Sequence, residues 1–216
     1  MIVLSIAGKM DKVRSKSSTK PARARRLDPS ERRPQLLQCA IRVFARRGLG
    51  GAHHAEIARE ARVSVPTVFF YFPTREALVM AVLDEVARFL TEMTVWIHSG
   101  AGPAPRIVLA HAKAFADSVD THTDYARVWL DWSTAIREEI WPHYLEFQEN
   151  IVAIIANTVR RWRLERGIID DEAEDDARLI VGSAHMIAQL KFTRCPADKV
   201  DHFLRTLVRS TLGAAP

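Results

Sequence analysis

Thr67, Phe70 and Tyr71 fall within two helical turns of Ser64 and Val65, and Thr74 and Arg75 follow directly. Hydroxyls, an aromatic face and a guanidinium at this spacing do not form a catalytic set, since no base stands beside a nucleophile. They are groups that meet nucleic acid: Thr67 can exchange a hydrogen bond with a base or touch a thymine methyl, and Phe70 can touch a methyl or stack. Tyr71, Thr74 and Arg75 bring a hydroxyl, a helix N-terminus and a cation to where phosphate would lie. The same pattern also suits two short core helices with a solvated basic face.

Elements of matching length are needed to position these residues. Ser30 is placed to cap a helix running to about Arg47, with Leu36, Leu37, Ala40, Ile41, Val43 and Phe44 on one stripe and Gly48 at its end. Cys39 on that stripe reads as a small buried hydrophobe. A short helix at His54–Ala61 follows. After the turn at 62–64, Ser64 caps a third helix, 65–72, with Pro66 in its first turn. Pro73 stops it, Thr74 caps a fourth helix to about Ile97, and further helices are predicted at 104–120, 122–138, 139–167, 171–191 and 196–213. The expected fold is all-α with about nine helices. The expected division is a basic flexible arm over 1–29, a helix-turn-helix unit over 30–73 and a helical body over 74–216. Residues 1–9 read as a start-site extension ahead of the structure.

Charge divides the chain in the same place. Of 31 Lys/Arg and 26 Asp/Glu, residues 1–75 hold sixteen and five, a balance of +11, which leaves −6 for the rest and +5 overall. A basic end on an acidic body suggests one module for phosphates and another for a different task. Two cysteines, Cys39 and Cys195, exclude a disulfide framework and a four-cysteine zinc site, and the expected compartment is the cytoplasm, on the nucleoid. No window suggests a membrane span.

The stretch from Arg33 to Leu83 resembles the DNA-binding region of TetR-family transcriptional regulators. The match is carried by Ala40-Ile41-Arg42-Val43-Phe44-Ala45-Arg46-Arg47-Gly48, by Glu56-Ile57-Ala58, by Val63-Ser64, by Thr67-Val68-Phe69 and Tyr71-Phe72, and by Pro73 to Leu78. Within that family the chain is similar to the LuxR/HapR/SmcR-type quorum-sensing group, through Arg25-Arg26-Leu27-Asp28-Pro29, the block 63–76 and the block 128–142. The resemblance implies a homodimer, three N-terminal helices on a DNA operator, and a body for dimerisation and ligand sensing. It also implies that the arm reaches the minor groove, which makes Arg23, Arg25 and Arg26 candidates there. His54 is a further candidate at this interface, as a cap with a phosphate or backbone partner, and a His at its position belongs to the group's pattern, which favours the structural role. Phe70 and Pro66 depart from it, standing where Asn and Ala are expected, so the docking mode carries over and the operator sequence does not.

Aromatic residues at helical spacing mark the body: Phe89, Met93 and Trp96 with Leu90, then Phe115, then Tyr125, Trp129 and Trp132, with Ile136 and Trp141 beyond. Singly each reads as core. Together they predict an apolar cavity for a small effector, with Ser133, His111 or Asp131 to orient a polar group. The eighth helix, apolar on more than one side, and the ninth, with Val200, Phe203, Leu204, Leu207, Val208 and Leu212 on one stripe, are expected to pair with a second copy. Neither metal nor cofactor is expected. His53-His54 lacks further ligands at suitable spacing, and the acidic run 170–176 reads as a solvated helix start. No Gly-rich phosphate loop, nucleophile elbow or His/Cys signature points to an enzyme. The competing class is an interaction module of the same fold that has lost DNA binding.

Overall fold

A computed structural model describes residues 29–136, 139–169 and 172–213. The expected arm therefore lies outside the described residues up to Pro29, and Arg23, Arg25 and Arg26 lie outside them with it. Nine α-helices and no strand occur among the described residues. They are α1 (Pro29–Gly51), α2 (His54–Ala61), α3 (Val65–Tyr71), α4 (Arg75–His98), α5 (Ala104–Thr121), α6 (Thr123–Thr134), α7 (Trp141–Leu164), α8 (Ala173–Phe192) and α9 (Ala197–Leu212). Ser30, expected as a cap, lies inside α1. No helix among them is long and apolar enough to cross a membrane.

The apolar stripe of α1 buries Leu36, Ile41 and Phe44 against Ile57, Val68, Phe72 and Leu78. That core continues through Leu83 and Val86 of α4 to Val128 and Trp132 of α6, so the N-terminal helices and the body share one apolar interior. A second cluster joins α5, α7, α8 and α9 around Val108, Ile155, Val159 and Val208. On α9 the expected stripe is buried at Val200, Leu204, Val208 and Leu212.

Local chemistry sets the boundaries. Ser64 and Thr74 accept the backbone N–H groups of Thr67 and Ala77, which caps α3 and α4 as their sequence positions require. Between α2 and α3 the turn closes through Val63 N–H to Ala58 O, 2.9 Å, and Arg62 N–H to Arg59 O, 3.2 Å. This is a six-to-one and five-to-two closure with Arg62 in the left-handed position that glycine usually fills. The region 135–140 departs from expectation: α6 ends at Thr134 and α7 begins only at Trp141. Pro142 in the first turn of α7 cannot continue a helix from α6. The indole of Trp132 donates across the gap to Ile140 O, 3.2 Å.

The acidic start of α8 is less solvated than expected. Residues 170 and 171 lie outside the described residues, while Asp176 is buried and accepts from Arg163 Nη2 of α7 at 2.6 Å. The end of α7 carries a cation to that turn, which draws the carboxylate inward.

Candidate nucleic-acid interface and effector cavity

Seven residues make α3, and its inner face is anchored by Val68, with Phe72 just beyond its end; both are fully buried. Its outer face carries Thr67, half-buried, and Phe70, 79% exposed. Phe70 stands edge-on to Tyr71 with ring centroids 5.1 Å apart. The Ser64 and Thr67 hydroxyls share a hydrogen bond of 2.8 Å. Val65 and Thr74 are exposed at the N-termini of α3 and α4. Ser64, Val65, Thr67, Phe70, Tyr71 and Thr74 are thus brought to one end of the molecule.

Two of the expected DNA contacts have partners within the protein. His54 is buried, its Nε2 bonded to Phe72 O at 2.8 Å and its ring stacked on Phe69 at 4.0 Å and 4°. It fastens the start of α2 to the end of α3, the backbone-partner role among those expected of it. Arg75 Nη2 donates to Leu49 O at 2.5 Å and Gly50 O at 3.1 Å, so its guanidinium holds the end of α1. The capping serine and threonine were legible in the sequence. The Arg75 clamp was not, because it joins residues 26 positions apart with no periodic signal.

The same segment is held from the body. α1 departs from helical geometry at Gly48, φ 73° and ψ 167°, and the next backbone N–H, on Leu49, donates to Asp131 Oδ2 of α6 at 2.6 Å. A Cβ on Gly48 would lie 3.2 Å from that oxygen. Asp131, expected to orient a ligand, faces α1.

Within the body a cavity of about 60 Å³ lies between α4, α5, α6, α7 and α8. Of the residues expected at the ligand site, Leu90, Met93, Phe115, Trp129 and His111 line it. Phe89, Tyr125, Trp132, Ser133 and Ile136 do not. Phe89 packs on His122 and Tyr125, and the Tyr125 hydroxyl bridges Gln38 of α1 and Glu85 of α4. Trp132 is sealed in the core, Ser133 Oγ donates to Leu130 O and pairs with His185, and Ile136 is 75% exposed in the turn after α6. Trp96, too, is 78% exposed rather than core. Sequence periodicity placed the correct face of α4 and α5 but missed the far wall, Tyr144, Phe147, Ile151, Ile155, Ile180 and Ile187, because only tertiary packing brings α7 and α8 there.

Polar groups enter the cavity from the opposite side, at Thr94 of α4 and His111 of α5. Thr94 Oγ1 donates to Leu90 O at 2.8 Å and lies 3.3 Å from His111 Nε2. His111 Nδ1 is 3.1 Å from His98 Nε2, and His98 Nδ1 is 2.9 Å from Thr158 Oγ1. Burial pushes the His111 imidazole down to about 3, and burial with the nearby Arg161 charge pushes His98 to about 4. Among the described residues no group of three His, Cys, Asp or Glu is placed to hold a metal ion.

A short helix offering polar and aromatic side chains outward, paired at a tight turn with a supporting helix and joined to a helical body with a cavity between its helices, defines a helix-turn-helix protein. Residues 36–82 match the family model for bacterial regulatory proteins of the tetR family. Over 194 residues, 87% of this chain and 90% of the relative, the sequence is 35% identical to the HTH-type transcriptional regulator LuxR of Vibrio harveyi. Among solved structures the fold is similar to a TetR-like transcriptional regulator from Rhodococcus sp. RHA1, with TM-score 0.72, 18% identity, and 88% of this chain and 100% of that one covered. It is also similar to the transcriptional regulator FadR from Bacillus subtilis in complex with stearoyl-CoA, with TM-score 0.68, 16% identity, and 83% and 97% covered. The chain belongs to the TetR family of helix-turn-helix transcriptional regulators.

Proposed function

We propose that the protein works as a homodimer in which two copies of α3 enter successive major grooves of a roughly palindromic operator, about one duplex turn apart. Thr67 and Phe70 read bases. Ser64, Val65, Tyr71 and the N-terminus of α4 at Thr74 meet the backbone, and Arg23, Arg25 and Arg26 follow the adjacent minor groove. Arg75 acts by holding the end of α1 beside the phosphate path. The observation that carries this reading is Phe70, a large apolar side chain 79% exposed on a helix whose opposite face is anchored in the core. With Asn the position would read adenine through two hydrogen bonds; with Phe it favours a thymine methyl.

The two copies meet through α8 and α9. Leu179, 61% exposed, and Met186, 45% exposed, share one face of α8 at i and i+7 with Gly182 between them, where an added Cβ would touch nothing within 4 Å. A small apolar effector enters the body cavity, as the stearoyl-CoA held by the Bacillus subtilis FadR supports in outline. At about 60 Å³ the space is well below the roughly 300–1,000 Å³ of sites that hold drug-sized ligands. An occupant must therefore part the helices, and a ligand that prefers the parted arrangement shifts the operator-bound population. Such a regulator works in the cytoplasm, on the nucleoid.

Selection of bound fragments from random duplex DNA tests the reading. The recovered consensus is expected to be two-fold symmetric, and Thr67→Ala and Phe70→Ala to change it, while Arg75→Ala lowers affinity for all sequences alike. Affinity should fall by about three decades between about 50 and 200 mM salt if six or more phosphates are neutralised. Absence of salt-dependent duplex affinity would overturn the proposal in favour of an interaction module.

A further inference from the structure

We infer that the body cavity accepts an uncharged effector carrying a hydrogen-bonding group and rejects carboxylates and ammonium groups. This rests on the reading of the cavity as the effector site.

The positions of the hydrogens in the polar wall follow from the two threonine hydroxyls at its ends. Thr94 has a single hydroxyl hydrogen, and it goes to Leu90 O, 2.8 Å away. His111 Nε2 must then carry the hydrogen it shares with Thr94 Oγ1, which leaves His111 Nδ1 as an acceptor. His98 Nε2–H fills that acceptor at 3.1 Å, and His98 Nδ1 in turn accepts from the Thr158 hydroxyl at 2.9 Å, the nearer of that hydroxyl's two acceptors, since Ile154 O lies at 3.4 Å. The relay Thr158, His98, His111, Thr94 runs in one direction with both rings neutral. Protonating His111 at Nδ1 would set two N–H groups against each other across 3.1 Å, and burial holds both imidazoles far below their ordinary range.

The rest of the wall contains no compensating charge. Among the described residues that line the cavity there is no Asp, Glu, Lys or Arg; its other polar side chains, Tyr144, Gln148 and Ser183, are neutral. A carboxylate entering here gives up its water and finds dipoles but no cation, and an ammonium group finds no anion. An amide or a hydroxyl gives up far less and can donate to the oxygen lone pair that Thr94 retains.

Three probes on one skeleton test this: 4-phenylbutanamide, 4-phenylbutanoate and 4-phenylbutylammonium, titrated into the full chain by calorimetry and ligand-observed NMR at neutral pH. The amide is expected to bind at least about tenfold more tightly than either ion. Ala184→Phe, which fills the cavity from α8, should abolish its binding while the circular dichroism spectrum is retained. Ala112→Leu fills the cavity from α5 and serves if that variant does not fold. Thr94→Val releases His111 Nε2–H towards the cavity, and the preference for amide over carboxylate is expected to narrow. Carboxylate binding equal to that of the amide, and lost on filling the cavity, would overturn the inference and leave the effector site standing. If no probe binds, or if binding survives both filling variants, the effector-site reading falls and this inference with it.

Discussion

Arg62 stands at φ 56° and ψ 44° in the turn between α2 and α3, a left-handed conformation that costs a side-chain-bearing residue about 1–2 kcal/mol. Glycine would relieve that cost and return part of it as extra entropy in the unfolded chain. Arg62→Gly is therefore expected to stabilise the protein by about 0.5–1 kcal/mol in urea unfolding. Gly48 has the opposite requirement. At φ 73° and ψ 167° it occupies a region that is essentially glycine's alone, and Asp131 Oδ2 would crowd any Cβ from 3.2 Å. Gly48→Ala should cost about 1–3 kcal/mol in the same measurement. The sequence signalled only one of these positions. Gly48 ends an apolar stripe where a terminal glycine is expected, whereas Arg62 resembles any other surface arginine.

Between elements, the decisive joint is the segment after Gly48. The body holds its N–H through Asp131 on α6, and α4 holds its carbonyls through Arg75. Since α6 also puts Trp129 into the cavity wall, a displacement of α6 by an occupant would reach the end of α1 through one hydrogen bond. Asp131→Ala leaves the Leu49 N–H without its acceptor, and a cost of about 1–2 kcal/mol is expected, kept from the upper end by the exposure of the carboxylate. Hydrogen exchange at Leu49 should accelerate in that variant, and Asp131→Asn, which keeps an oxygen in place, should restore most of the protection. Unchanged exchange in the alanine variant would remove Asp131 from the joint. Caps and stripes gave α2, α3 and α4 nearly to the residue, because those signals are local. The joint links positions 82 apart, and nothing in either local pattern announces it.

At the scale of the whole molecule, the buried histidine pair links stability to pH. His98 and His111 are neutral in the fold, with pKa values near 4 and 3, and each returns to an ordinary value near 6.5 on unfolding. Below pH 6.5 the unfolded chain therefore binds more protons than the folded one. The pair's contribution is complete above that pH and declines as acid is added, by about 1.4 kcal/mol per pH unit for each ring, until the folded values are reached. Carboxylates act lower. Arg42 and Arg46 hold Glu60 below its usual 4.5, and Arg88 does the same for Glu85, so their contributions are present above that value and fade only beneath it. The interval from 6.5 to 4.5 thus isolates the histidines. Urea unfolding across it should show stability falling by on the order of 2 kcal/mol per pH unit, and the slope should flatten when both rings are replaced in His98→Gln/His111→Gln. A slope unaffected by that double substitution would mean that the two rings do not change protonation on unfolding, contrary to the burial that keeps them neutral in the fold.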